Sequence, residues 1–102
     1  MKYNWLFWND GVKNGLSVGG VEFTDHAMRK FEILKRLGFS VSMRQVVKVV
    51  ENPERVDVGW KGRFIASGEL NREHVLRVVI EKVGDRKLVV TFYPARRERY
   101  EG

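Results

Sequence analysis

Cysteine is absent from this 102-residue chain, which excludes a disulfide framework, a thiol nucleophile and any zinc–thiolate site. Histidine is almost absent: His26 and His74 are the two present, too few for a metal cluster, so neither a metal nor another cofactor is expected. No apolar run approaches the roughly 20 residues of a membrane span. The N-terminus also lacks the basic-then-apolar order of a secretion signal, so a cytoplasmic location is the expectation. Proline occurs twice, and no low-complexity stretch or internal repeat interrupts the chain. With 43% hydrophobic and 31% charged residues, the composition is that of one globular domain with one core.

Positive charge, by contrast, is plentiful and unevenly placed. The formal net charge is +6, yet residues 1–23 balance Lys2 and Lys13 against Asp10 and Glu22, so the excess belongs to the rest of the chain. From Lys61 to Arg99 there are ten basic and five acidic residues. A field of this sign favours polyanions such as nucleic acid.

The richest stretch runs from His74 to Tyr100. Its alternation predicts two paired strands around a tight turn at Gly84-Asp85, then a basic tail from residue 95 to 102. Leu76, Val78 and Ile80 share one face of the first strand, and Leu88, Val90 and Phe92 one face of the second, because side chains alternate along a strand. Packing those apolar sets on a core brings Arg77, Thr91 and Tyr93 together on the opposite face, joined by Arg63 if its strand is in register.

Upstream, residues 1–23 read as an aromatic strand or hairpin extension. Trp5 and Phe7 alternate with Leu6 and Trp8, so both faces of this strand are apolar. It either lies inside the sheet or presents Trp5, Phe7 and Trp8 to a partner, which includes a second copy of the chain. Thr24 is suited to cap a helix that continues to about Leu37 and stops at Gly38. Ser42-Met43-Arg44-Gln45 fits a capping box for a second helix ending before Asn52-Pro53. From Arg55 the period becomes twofold, predicting strands at 55–58 and 63–69 before the final pair. The expectation is an α+β domain with two helices on one face of an antiparallel sheet of about four to five strands, its core spanning residues 24–94.

Several short motifs occur in fixed order: Thr24-x-His26-Ala27, a helix end at Gly38, Val41-Ser42, Asn52-Pro53-Glu54, Leu76-Arg77-Val78-Val79 and Val90-Thr91-x-Tyr93-Pro94. This order resembles a widespread prokaryotic family of small uncharacterised domains, and more distantly the RelE and BrnT ribonuclease toxins. The resemblance implies a RelE-like fold, an RNA-cleaving toxin that needs no metal, and an antitoxin protein as partner. It also implies His26, Arg77, Thr91 and Tyr93 as the functional residues. One departure is Lys30, where the family commonly has arginine; lysine offers a point charge without a bidentate fork.

The chemistry is consistent with that implication. Metal-free RNA cleavage needs a proton acceptor for a 2′-hydroxyl, positive charge for the phosphorane, and a proton donor to the leaving oxygen. His26 and Tyr93 are candidates for the proton steps, and Arg63, Arg96, Arg97, Arg99 and Lys30 for RNA binding. Competing readings stand beside it. A lone histidine at a helix start, such as His26, is more often a structural hydrogen-bonder, and the same surface suits a non-catalytic module that binds RNA or a protein.

Overall fold

The computed structural model describes Ser17, Val18 and residues 20–98. Trp5, Phe7, Trp8 and Arg99, and with them the expected aromatic strand and the end of the basic tail, lie outside the described residues. The elements are β1 (Ser17–Val18), β2 (Val21–Phe23), α1 (Asp25–Arg36), α2 (Met43–Glu51), β3 (Arg55–Val58), β4 (Phe64–Glu69), β5 (His74–Val83) and β6 (Arg86–Arg96). A short 3-10 turn at Trp60–Gly62 joins β3 to β4. The domain is α+β, two helices against one sheet, as the periodicities predict.

The sheet order is β1-β2-β6-β5-β4-β3. β3 to β6 form an antiparallel meander, whereas β2 runs parallel to β6, pairing Val21 with Lys87 and Phe23 with Val89. The sheet is therefore mixed. β2 pairs with β6 over three residues, so among the described residues no strand continues along that flank of β6 beyond Val89. This flank matters below.

Both helices begin and end where their capping residues dictate. Thr24 accepts from the Ala27 amide at 3.0 Å, satisfying one of the amides that a helix start leaves without an intrahelical partner. At the other end, Phe39 N–H donates to Leu34 O and Gly38 N–H to Lys35 O. With Gly38 at φ 94°, this is a Schellman closure that a side chain with a Cβ would strain. α2 carries the full capping box: Gln45 N–H donates to Ser42 Oγ at 3.1 Å, and Ser42 N–H to Gln45 Oε1 at 2.8 Å.

The core lies between the helices and one sheet face. Ala27 and Leu34 of α1 and Val46, Val47, Val49 and Val50 of α2 meet Phe23, Ala66, Leu76, Val78, Ile80, Val89 and Phe92. Phe31 tilts over Phe92, with ring centroids 4.7 Å apart. α2 approaches β4 so closely that a Cβ on Gly68 would lie 2.8 Å from Val49 Cγ2. No helix among the described residues is long and apolar enough to cross a membrane.

One strand departs from simple alternation. The β5–β6 register pairs Val79 with Thr91 but Ile80 with Val89, leaving Val90 as an extra residue. This bulge reverses the facing of β6 on its two sides. Phe92 packs in the core as expected, but it is joined there by Val89; Leu88 and Val90 are buried elsewhere.

Candidate functional site

The residues singled out by sequence meet at the corner where α1 begins beside the bulge of β6. Three local features build that corner. The bulge frees the Val90 carbonyl, and Thr24 Oγ1 donates to it at 3.1 Å; Thr24 N–H donates to Val89 O at 3.2 Å. The hydroxyl that caps α1 therefore also fastens it to β6. With the helix start anchored there, His26 lies beside β6, and its Nε2 is 3.2 Å from Thr91 Oγ1.

Thr91 and Tyr93 follow each other at two-residue spacing, so both lie on the sheet face away from the core, about 7 Å apart along the strand. Tyr93 pairs across to Arg77, whose Nε donates to Tyr93 Oη at 3.1 Å. The four expected residues thus fall into two contacts, His26 with Thr91 and Arg77 with Tyr93, on neighbouring positions of one strand. Because Arg77 donates to the phenol oxygen, the phenol hydrogen is left to donate elsewhere.

Electrostatically the corner has two parts. Burial first, then the nearby charges of Lys30 and Arg29, hold the His26 imidazole below the ordinary histidine value of 6.5. The ring is therefore neutral at pH 7 and able to accept a proton. Among the described residues, neither Lys30 nor Arg29 has a carboxylate within 4.0 Å.

The sheet arginines are in a different state. Arg77 is 6% exposed, and its Nη1 donates to Ser67 Oγ at 3.0 Å and to Asp57 Oδ2 at 3.4 Å. Arg63, brought onto the same face by the register, is paired with Glu81 at 3.1 Å. Arg86 is likewise paired with Glu22 at 2.9 Å. Burying a guanidinium requires such partners. The face opposite the helices is consequently not the bare cationic surface that a two-layer reading predicts: Val75, Leu88, Arg63 and Arg77 are buried there, while Val79, Thr91 and Tyr93 are partly exposed.

The basic tail divides in the same way. Arg97 is a tether, its Nη2 donating to Asn71 O at 3.0 Å and its Nε to Arg72 O at 3.2 Å across the β4–β5 turn. Arg96 is exposed and lies 3.6 Å from Glu98. Neither is brought to His26. His74 belongs to the Asn71 turn, with Nδ1 3.1 Å from Asn71 Oδ1, and packs edge-on against Phe39.

Alternation along β5 already puts Glu81 on the face of Arg77, but sequence reasoning missed the carboxylates Asp57 and Glu22 and the hydroxyl of Ser67. For Asp57 and Ser67 the signal is parity: once Ser67 stands opposite Arg77, every second residue of β4 and β3 shares that face; Glu22 depends on the seat of β2 beside β6. Comparison of the chain with protein-family models, curated proteins and solved structures finds no match.

Proposed function

We propose that this domain is a metal-independent ribonuclease of toxin type whose working centre is the α1–β6 corner. The observation that carries the reading is the meeting of His26 with Thr91, 3.2 Å apart, beside a Tyr93 held by Arg77. In this reading the neutral His26 takes the 2′-hydroxyl proton of a bound ribonucleotide, with Thr91 orienting the ring. Attack of that oxygen on phosphorus builds negative charge, which Lys30 and Arg29 are close enough to His26 to offset. Tyr93 then donates its proton to the departing 5′ oxygen, while Arg77 fixes the phenol. The internally paired Arg63 and Arg77 have no phosphate-binding task in this scheme; Arg77 is a positioning residue. A protein antitoxin and a cytoplasmic location belong to the same reading.

The pairing of the sheet arginines favours a second reading, in which the corner binds RNA without cutting it. A single assay separates the two: incubation of the full chain with a fluorescent single-stranded RNA in EDTA. Cleavage that is lost in both His26→Ala and Tyr93→Phe, with binding retained, supports the nuclease. Salt-sensitive binding without cleavage supports the second reading, and absence of both overturns the two together.

A further inference from the structure

We propose that the outer edge of β3 is a docking site for an extended acidic segment of another protein, which adds a strand to the sheet and places an apolar side chain in the recess beside it. Among the described residues β3 is the last strand of the sheet order. Gly59 N–H donates to Arg63 O at 2.6 Å, and Leu70 N–H to His74 O on the opposite side of β4. With alternate residues bonding to alternate sides, Arg55 and Asp57 therefore turn their backbone groups toward β4, and Val56 and Val58 turn theirs outward. The outward edge thus offers two amides and two carbonyls in strand geometry.

Its side chains are just as incomplete. Val56 is 53% exposed and Val58 79%, an apolar edge of the kind that soluble proteins ordinarily blunt with charge, proline or a covering loop. Val56 pairs with Ala66 and so lies on the helix side of the sheet. There, past the end of α2, a recess of about 230 Å³ opens between Val50, Pro53, Val56, Phe64, Ala66 and Ile80. A strand added to β3 would direct every second side chain to this side.

Charge selects the occupant. Lys82 lies over the Phe64 ring at 5.4 Å and Lys61 over Trp60 at 4.7 Å, and Lys87 lines the recess with Lys82. Among the described residues none of these three lysines has a carboxylate within 4.0 Å. Glu51 is the one acidic residue lining the recess. Pairing two β3 edges across a twofold axis would bring two such lysine groups together, which disfavours a second copy of this chain. An acidic strand meets the charge and the apolar recess at once.

The test uses the full chain and a fluorescein-labelled peptide of about seven residues, a common strand length, with valine and glutamate on the positions that face the recess and its lysines, and threonine between them, followed by fluorescence anisotropy and by amide hydrogen exchange. The expected result is binding that slows exchange at Val56 and Val58 and weakens at least tenfold in Val58→Pro, which removes one outward amide while leaving the β4 ladder intact. If circular dichroism shows that Val58→Pro does not fold, Val58→Glu replaces it and is expected to weaken binding through charge. Equal binding by the edge variant, equal binding of the same peptide with lysine in place of glutamate, or no binding of the acidic peptide overturns the proposal. So does a dimer of the wild-type chain that the edge variant dissolves, since the edge would then belong to a second copy.

Discussion

Thr24 is the residue on which the corner depends, and Thr24→Val tests that dependence. Valine keeps the side-chain shape but removes the hydroxyl, and with it two bonds: acceptance from the Ala27 amide at 3.0 Å and donation to the Val90 carbonyl at 3.1 Å. Loss of an N-cap costs about 1 kcal/mol. Leaving a buried carbonyl without a donor costs about 1–3 kcal/mol more, so the sum is about 2–4 kcal/mol. Thr24→Ser is the matched control, since it keeps both bonds and loses one buried methyl, about 1 kcal/mol. Urea unfolding reads the difference: with a slope of about 1–3 kcal/mol/M, a loss of about 3 kcal/mol moves the midpoint down by about 1–3 M. Serine must be the milder substitution. If Thr24→Val matches or exceeds Thr24→Ser in stability, the hydroxyl is not fastening α1 to the bulge, and the placement of His26 beside Thr91 loses its structural cause.

Further outcomes follow from other contacts. The His26 imidazole should titrate below 6.5 by NMR, and Lys30→Gln should raise its value toward normal, because Lys30 is one of the charges holding it down. Since the unfolded chain binds that proton more readily, the contribution of His26 to stability falls as pH drops below about 6.5 and is flat above it; a His26→Asn variant should lack that component in pH-dependent melting. Gly68→Ala should destabilise the fold by about 1–3 kcal/mol, as its methyl meets Val49 at 2.8 Å; Val49→Ala in the same chain should recover part of that loss. Arg77→Met should cost about 2 kcal/mol through lost charged hydrogen bonds and leave Tyr93 without its donor. Asp57→Asn should cost less, because Ser67 and Tyr93 still hold Arg77.

Much of the fold is legible from local rules acting within a few residues. Thr24 and Gly38 bound α1, the Ser42–Gln45 capping box starts α2, and Gly84, at φ 60°, turns the β5–β6 hairpin. Alternation likewise assigns Leu76, Val78 and Ile80 to the core. Each of these depends on backbone geometry that a residue and its near neighbours decide for themselves. Alternation also puts Arg77, Thr91 and Tyr93 on one face, whereas the contact of His26 with Thr91 depends on where α1 starts beside β6.

What local rules do not contain is how strands far apart in the chain align. The parallel seat of β2 against β6 joins residues more than sixty positions apart, and no periodicity encodes it. The bulge at Val90 reverses the facing of β6, so Val89 takes the place that uninterrupted alternation assigns to Leu88 and Val90. Register across β3, β4 and β5 then places Asp57 and Ser67 against Arg77, and Glu81 against Arg63. Composition determines how many charges this protein has, and tertiary pairing decides which of them meet a counter-ion, because Coulomb attraction and desolvation depend on distance and burial that the linear order does not record.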